Sequence, residues 1–253
     1  MAFITIRLHS TSLKKAEEVY TIMPEGTNGK VPVLYLLHGL SDDNSIWMRR
    51  TSLERYVQEM HLAVVMPNAG RSFYTDMQVG GKYGTYISEE LPAKISSMFK
   101  ISNKKEDTFI AGLSMGGYGA FKAALLHPDN YCFAASLSGV MDIADAARNS
   151  AAKDEERKRE LESIFGSQDT LPGSNHDLFY LLEKNINDGI NTPFLYQCCG
   201  TEDHLYSGNV KFRNFAIEKG AKLEYEEGPG THNWAFWDVW IQKVLNKIKV
   251  MSK

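Results

Sequence analysis

The chain has 253 residues and a mass of 28.5 kDa, a size that suits one domain with a single large core. Hydrophobic residues make up 43% and charged residues 23%, as in folded globular proteins rather than disordered ones. The formal net charge of −3 and the isoelectric point near 6.2 give no reason to expect nucleic acid or an anionic membrane as a partner. Residues 1–253 are therefore expected to form one domain, whose function depends on local motifs.

The sequence lacks the marks of export, membrane insertion and disulfide bonding. The first nine residues alternate as in an opening strand and lack the basic flank and long apolar run of a secretory signal. No apolar run approaches the roughly 20 residues needed to span a bilayer. The three cysteines, Cys132, Cys198 and Cys199, are too few for a disulfide framework or a metal cage, and we expect buried thiols. These features predict a cytoplasmic protein without membrane contact, metal or other cofactor.

Five continuous apolar runs, bounded by turn residues, predict buried strands. They cover residues 31–37, 62–67, 108–111, 132–138 and 193–199. Helical segments are predicted between and after them, at residues 52–60, 86–99, 117–127, 209–219 and 234–250. Strands that alternate with helices in this way predict an α/β fold with a mainly parallel, doubly wound sheet.

Residues 142–190 interrupt this alternation, because they are longer than a crossover between two strands requires. Residues 151–165 predict a charged helix, residues 166–175 a loop and residues 177–187 a second helix. Such an insertion can form a small cap over an active site. It can equally be a surface crossover without a role in substrate binding, and the sequence leaves both interpretations open.

The segment Gly-Leu-Ser-Met-Gly at residues 112–116 lies between a predicted strand and a predicted helix. A serine with glycine two residues away on either side matches the nucleophile elbow. The turn is so tight that side chains at Gly112 and Gly116 would collide with the neighbouring strand and helix. It exposes the serine hydroxyl above the sheet, near the positive end of a helix dipole. Ser114 is therefore the predicted nucleophile.

A serine hydroxyl needs a base to accept its proton, and His232 has the position expected of that base. In α/β-hydrolases the chain order is serine, then acid, then a histidine just after the last strand. His232 follows a predicted strand at residues 222–226 and a Gly-Pro-Gly loop, and a helix begins beyond it. The sequence therefore predicts that His232 lies over Ser114.

The acid that orients the histidine should follow the predicted strand at residues 193–199, which precedes the strand before His232. Asp203 lies in the segment Gly-Thr-Glu-Asp-His at residues 200–204, directly after that strand, and is the preferred candidate. Its carboxylate would accept the Nδ1 proton of the histidine, fix the tautomer and stabilise the imidazolium that forms. The alternatives are Glu202, which directly precedes Asp203, and Asp142, which follows the predicted strand at residues 132–138.

Backbone N–H groups are expected to form the oxyanion hole. One donor should be Met115, the residue after the nucleophile, and the other should come from the loop after an early strand. That loop is residues 38–43, where Gly39 permits an unusual backbone path and Leu40 is the predicted donor. His38 is expected to support the loop rather than act as a second base.

Three further side chains are candidates for contact with the substrate. Trp47, Tyr74 and Asp76 lie on loops that follow strands ending on the catalytic side of the sheet. The alternative for all three is that they pack within those loops.

With these segments in place, the chain resembles the putative-esterase family of α/β-hydrolases over nearly its whole length. This family includes esterase D, feruloyl and acetylxylan esterases, tributyrin esterases and mycolyltransferases, and the resemblance is greatest to the tributyrin and related feruloyl esterases. Ser114, Asp203 and His232 match the triad of that group, and Leu40 and Met115 match its oxyanion positions. The segments that carry the resemblance are residues 35–40, 72–76, 86–92, 112–117, 200–203 and 232–237.

The resemblance implies a serine carboxylesterase that hydrolyses short acyl (acetyl or butyryl) or small aromatic (feruloyl-type) esters. The partner would be a small-molecule ester, no cofactor would be needed, and a homo-oligomer is compatible with the family. One alternative is S-formylglutathione hydrolase, although that branch usually has a Cys-Thr element where this chain has Ser41-Asp42. An acyltransferase is a second alternative, and a non-catalytic ligand-binding protein is a third.

Overall fold

The computed structural model describes residues 1–152 and 154–252. The described residues form one eight-stranded sheet with the spatial order β1-β2-β4-β3-β5-β6-β7-β8. Its strands are β1 (Ala2–Ser10), β2 (Lys15–Met23), β3 (Val33–Leu37), β4 (Ala63–Pro67), β5 (Thr108–Leu113), β6 (Phe133–Leu137), β7 (Phe194–Gly200) and β8 (Leu223–Gly228).

Helices connect these strands on both faces of the sheet. In the described part of the chain they are α1 (Ile46–Arg50), α2 (Leu53–Val57), α3 (Tyr83–Thr85), α4 (Leu91–Met98), α5 (Met115–Leu126), α6 (Ile143–Ala151), α7 (Glu155–Phe165), α8 (Leu178–Asn187), α9 (Tyr206–Glu218) and α10 (Trp234–Met251). A π-helical turn (Tyr86–Glu90) joins α3 to α4, and short 3₁₀ turns cover Lys105–Asp107 and Gln168–Thr170. None of the described helices is both long enough and apolar enough to cross a bilayer.

The strands from β3 to β8 are parallel, and the β1–β2 hairpin extends the sheet in antiparallel fashion. The chain first moves from β3 outward to β4, then returns to place β5 on the other side of β3. This reversal creates a switch point between β3 and β5, where the loops that leave the two strands diverge. Ligands in open α/β sheets bind in the crevice that such divergence leaves at the carboxyl ends of the strands.

Two apolar cores lie on opposite faces of the sheet, and β3 shows how the sequence builds both. Val33, Tyr35 and Leu37 contribute to one core, whereas Leu34 and Leu36 contribute to the other. All five side chains are buried because successive residues of a strand point to opposite faces and helices cover each face. The continuous apolar runs in the sequence have this origin.

The fold class predicted from the sequence is confirmed, and the departures are local. The predicted helix at residues 151–165 corresponds to α7, which begins at Glu155, and it is preceded by α6, which was not predicted and ends at Ala151. Asp154 caps α7 by accepting hydrogen bonds from the N–H groups of Glu156 and Arg157. The strand β2 was not predicted, since its charged first half does not form an apolar run.

The insertion at residues 142–190 packs on the same face of the sheet as α5. Its buried side chains Leu161, Ile164 and Leu178 belong to the core on that face. The end of α7 is also held by the backbone, because Gln78 N–H donates to Ile164 O at 3.0 Å and Val79 N–H donates to Ser163 O at 2.8 Å. The insertion is therefore an integral part of the core.

A buried lysine lies where α5, the loop after β4 and the insertion meet. Lys122 is 5% exposed; its Nζ donates to the hydroxyl of Thr75 and lies 3.1 Å from Nδ1 of His176. Burial lowers the pKa of Lys122 to about 7. Burial and the neighbouring Lys122 lower the pKa of His176 to about 4. The junction therefore favours neutral forms of both side chains.

We expect Lys122 to make a contribution to stability that rises with pH between pH 7 and 9. In this range an unfolded lysine, with a pKa near its ordinary value of 10.5, binds more protons than the folded Lys122. This contribution to the free energy of unfolding should increase by up to about 1.4 kcal/mol per pH unit, against the opposite effect of the buried thiols, whose pKa values are raised by burial. Urea denaturation at pH 7, 8 and 9 measures the slope in the wild-type protein and in Lys122→Met, which should have the lower slope. Equal slopes in the two proteins would contradict a neutral buried lysine.

Candidate active site

Ser114 occupies the tight turn between β5 and α5. Its backbone has φ 53° and ψ −116°, a conformation that non-glycine residues rarely adopt. A Cβ on Gly112 would lie 2.4 Å from the carbonyl carbon of Gly116, and one on Gly116 would lie 2.6 Å from the carbonyl oxygen of Leu37. Both glycines are therefore required by backbone packing, and the turn holds the serine at the start of α5.

His232 connects the serine hydroxyl to a buried carboxylate. Its Nε2 lies 2.9 Å from Ser114 Oγ, and its Nδ1 lies 2.8 Å from Oδ2 and 3.1 Å from Oδ1 of Asp203. The backbone N–H of Leu205 also donates to Asp203 Oδ1, at 2.8 Å. Burial alone would raise the pKa of Asp203, but the hydrogen bonds from His232 and Leu205 hold it below its ordinary value. An ionised Asp203 favours the Nδ1–H tautomer, which leaves Nε2 free to accept the serine proton.

Close backbone contacts fix the two loops that carry Asp203 and His232. The N–H of Glu202 donates to the carbonyl of Gly230 at 3.1 Å, and the Glu202 carboxylate accepts the N–H of Gly230. A Cβ on Gly200 would lie 2.1 Å from the Gly230 carbonyl oxygen, so the loops can approach this closely only with glycine there. The relative position of acid and base is thus set by backbone atoms.

The two alternative acids have other partners. The Glu202 carboxylate binds the backbone N–H of Gly230. Asp142 caps α6 by accepting the N–H of Asp145 at 3.0 Å, and its other oxygen pairs with Lys211 at 2.5 Å. The structure thus brings Asp203, of the three candidates, into hydrogen-bond contact with the histidine.

The predicted oxyanion donors lie on either side of the switch point. Met115 is the first residue of α5, so its N–H precedes the first intrahelical hydrogen bond. Leu40 follows β3 and lines the same cavity as Ser114 and Met115. His38 supports this loop, because its Nδ1 lies 2.7 Å from Gly39 O and its Nε2 accepts the N–H of Ala69 at 2.9 Å. Burial lowers the pKa of His38, which favours the neutral ring that these contacts require.

A cavity of about 610 Å³ opens above Ser114. Its floor is formed by the ends of the strands and the start of α5, and its opposite wall by α6 and α7 of the insertion. The lining is mixed, and its polar and charged members include Asp142, Asp145, Asn149 and Arg157. Its apolar members include Leu40, Phe73, Met141, Ala147, Leu161 and Leu205.

The structure places none of the three predicted substrate contacts in this cavity. Trp47 is completely buried, and its Nε1 donates to Leu37 O at 3.1 Å. Tyr74 is also buried, and its hydroxyl donates to His38 O at 2.9 Å. Asp76 is exposed, and its carboxylate accepts the N–H and the hydroxyl of Thr85 at 2.8 and 2.7 Å. All three side chains pack within or beneath their loops, as the alternative interpretation of these residues predicts.

The cavity lining includes residues that were not predicted, among them Phe73, His204 and Arg157. Phe73 precedes Tyr74 and has a φ of 51°, so the two rings point in different directions from a strained turn. His204 directly follows Asp203, and its ring centroid lies 4.6 Å from that of His232. Arg157 comes from α7 of the insertion. The position of His204 directly after Asp203 is a usable signal, whereas nothing in the sequence indicates that Phe73 or Arg157 lines the cavity.

In the part of the chain that the structure describes, one group of side chains has donor atoms close enough to hold a metal ion. The donor atoms of Asp203, His204 and His232 all lie within 4.8 Å of one another, and such residues bind zinc. Asp203 and His232 are already hydrogen-bonded to each other, and His232 also contacts Ser114. Burial and the neighbouring His232 lower the pKa of His204. The serine–histidine–aspartate chain explains the contacts of Asp203 and His232.

Comparisons with known proteins agree with this geometry. A family model described as Putative esterase matches residues 10–248. An acetyl esterase of Caldicellulosiruptor saccharolyticus is 32% identical over 270 residues, which cover 100% of this chain and 99% of the relative.

Two solved structures from Staphylococcus aureus are similar over their whole length. The fluorophosphonate-binding serine hydrolase FphF, with substrate bound, has a TM-score of 0.90 and 35% identity, covering 100% of this chain and 98% of that one. The S-formylglutathione hydrolase FrmB, as apoenzyme, has a TM-score of 0.87 and 35% identity, covering 100% and 99%.

Fold, site and relatives together define a serine hydrolase of the α/β-hydrolase fold that acts on carboxylic ester bonds. The chain belongs to the putative-esterase family. The family, the fold class and the ester-hydrolase activity predicted from the sequence are thereby confirmed.

We expect Gly116→Ala to disrupt the nucleophile turn, because its Cβ would meet the backbone of β3 at 2.6 Å. Ester hydrolysis should fall by at least about 100-fold, as a displacement of about 1 Å at the reacting centre is enough for that loss. Thermal unfolding should also occur at a lower temperature. Gly29→Ala is the control, since a Cβ there meets nothing within 4 Å. Wild-type activity of Gly116→Ala would contradict this account of the turn.

Proposed function

We propose that the protein is a carboxylesterase for short acyl or small aromatic esters, with Ser114 as nucleophile, His232 as general base and Asp203 as the acid that orients it. The observation that carries the proposal is the continuous hydrogen-bonded chain Asp203–His232–Ser114, which ends in a cavity. A serine hydroxyl 2.9 Å from an imidazole nitrogen has the geometry for proton transfer during attack. No cofactor is required for this chemistry.

In the first half of the reaction, Ser114 Oγ attacks the ester carbonyl while its proton passes to His232 Nε2. The N–H groups of Leu40 and Met115 stabilise the oxyanion of the tetrahedral intermediate. As this intermediate collapses, His232 donates the proton to the alcohol oxygen, the alcohol leaves and an acyl-serine remains. Asp203 stabilises the imidazolium during this step.

In the second half, water replaces the alcohol. The water oxygen attacks the acyl-serine carbonyl while His232 Nε2 accepts a proton from that water. The N–H groups of Leu40 and Met115 stabilise the new oxyanion. Collapse of this second intermediate returns the proton to Ser114 Oγ and releases the carboxylic acid. The enzyme is then restored with its original hydrogen bonds.

Residues 142–190 act in this proposal as a cap that bounds the substrate cavity. The support is that α6 and α7 supply much of the wall opposite Ser114. A cavity of about 610 Å³, bounded in this way, supports a substrate of small-molecule size. A cytoplasmic location and a homo-oligomeric assembly stay predictions.

The main alternative substrate is a thioester such as S-formylglutathione, which the same two steps would hydrolyse with a thiol as leaving group. The similarity to FrmB of Staphylococcus aureus favours it. An acyltransferase would differ only in the second step, where an alcohol would replace water. Product analysis in the presence of a competing alcohol distinguishes the transferase from the hydrolase.

We expect Ser114→Ala to abolish labelling by a fluorophosphonate and Asp203→Asn to lower kcat by about 10³- to 10⁴-fold, because the amide favours the wrong histidine tautomer. Glu202→Gln is the matched control, since its side-chain oxygen can still accept the N–H of Gly230. Steady-state hydrolysis of 4-nitrophenyl butyrate and circular dichroism test activity and folding. An active Asp203→Asn protein beside an inactive Glu202→Gln protein would overturn the assignment of the acid.

We expect kcat/KM to be highest for acetyl or butyryl esters and at least about tenfold lower for octanoyl esters, because α6 and α7 bound the cavity. The measurement compares 4-nitrophenyl acetate, butyrate and octanoate with methyl ferulate and S-formylglutathione, using Ser114→Ala for background. Preference for the ferulate would place the protein with the aromatic esterases. Dominance of the thioester would replace the carboxylesterase proposal by its alternative.

A further inference from the structure

A cation lies in the wall of the cavity, which also carries the carboxylates of Asp142 and Asp145. Arg157 of α7 lines the same cavity as Ser114, and its side chain is only 18% exposed. Its guanidinium carbon lies 5.7 Å from the ring centroid of Phe73, which also lines the cavity. A guanidinium held against an aromatic ring and largely removed from water interacts more strongly with a ligand charge than an exposed one does.

Arg157 belongs to a group of three charged side chains. Its Nη1 donates to Glu160, and the Glu160 carboxylate also pairs with the guanidinium of Arg71 through two hydrogen bonds. The hydrogen bond from Arg71 is the main reason why the pKa of Glu160 lies below its ordinary value, so the carboxylate is ionised at neutral pH. Two guanidinium groups therefore share one carboxylate, and these three side chains carry a net charge of +1.

The order of the strands locates this charge relative to the reacting bond. Along the carboxyl edge of the sheet, Phe73 follows β4, Leu40 follows β3, Ser114 follows β5 and His232 follows β8, in the spatial order β4-β3-β5-β6-β7-β8. The alcohol half of an ester must lie beside the histidine, which protonates it as it leaves. Phe73, with Arg157 against its ring, lies on the opposite side of the serine. This is the side left for the acyl half.

We propose that Arg157 selects esters whose acyl chain ends in a carboxylate, that is, monoesters of small dicarboxylic acids. The inference rests on the proposed function and specifies its substrate class. The carboxylate would balance the net charge of the Arg71–Glu160–Arg157 group and accept charge-assisted hydrogen bonds from a guanidinium already oriented by Phe73 and Glu160. Because the cation is fixed before the substrate binds, little side-chain entropy is lost.

The test compares two substrates of equal size, the 4-nitrophenyl monoester of adipic acid and its terminal primary amide. The ratio of kcat/KM for the acid to that for the amide isolates the effect of the charge, and Ser114→Ala corrects for spontaneous hydrolysis. Arg157→Gln should lower this ratio by about 10- to 100-fold, the value of one or two charge-assisted hydrogen bonds. Arg157→Lys should retain part of the preference for the acid, since lysine keeps the positive charge but lacks the planar guanidinium that can form two parallel hydrogen bonds.

Arg159→Gln is the matched control, because Arg159 lies on the same helix with a side chain 77% exposed and paired with Glu155. It should leave the ratio unchanged. An alcohol-side pair, the acetate esters of 4-hydroxybenzoate and 4-hydroxybenzamide, should respond little to Arg157→Gln. An unchanged adipate ratio in Arg157→Gln, or an effect confined to the alcohol-side pair, would overturn the proposal. Failure of the wild-type protein to hydrolyse 4-nitrophenyl butyrate would instead refute the proposed function itself.

Discussion

The position of Ser114 at the top of the sheet depends on a close backbone contact. The turn at residues 112–116 packs against β3 with no side chain between them. The Ser114 φ of 53° costs a non-glycine residue on the order of 1–3 kcal/mol, so the surrounding structure must hold it. The Ser114 N–H donates to Leu137 O at 2.9 Å, and glycines 112 and 116 let the turn pack directly on β3. The strained turn can therefore exist only after β3, β5, β6 and α5 have come together. The nucleophile is a property of the assembled sheet rather than of the five-residue motif.

The remaining groups of the site are placed relative to this turn by the topology of the sheet. Loops from β3, β5, β7 and β8 all leave the same carboxyl edge, so the proposed oxyanion donors, nucleophile, acid and base converge although they are far apart in sequence. Buried amides add rigidity behind them. Gln197 Nε2 donates to Asn209 Oδ1 at 2.8 Å, and Asn209 Nδ2 donates to Gly139 O at 2.9 Å. These bonds link β7, α9 and the loop after β6, which surround the acid and the serine.

This dependence on topology explains what the sequence could predict. Parallel strands appear as apolar runs, and the residues after them share one edge, so chain order was enough to select Ser114, Asp203 and His232 as side chains that meet. The lining of the cavity depends instead on side-chain directions within loops. Trp47 and Tyr74 follow the right strands but are buried beneath their loops, whereas Phe73 lines the cavity from a turn in which Phe73 and Tyr74 both have a positive φ. No periodicity in the sequence records which of these two successive side chains faces the cavity. Arg157 was equally unpredictable, since its place depends on how the insertion packs.

Under the proposed function, the packing of the insertion couples the stability of the fold to the selection of the substrate. The same α7 that presents Arg157 to the cavity buries Leu161 and Ile164 in the core around α5. Its far end is held by backbone hydrogen bonds from residues 78 and 79, and Arg71 reaches Glu160 from the loop after β4. The wall of the cavity is therefore supported by the elements that also position the serine. A substitution that widens the cavity at Leu161 would remove core contacts at the same time, because one helix surface serves both purposes. Substitutions of polar lining residues that do not belong to the core can alter the substrate preference without this cost in stability.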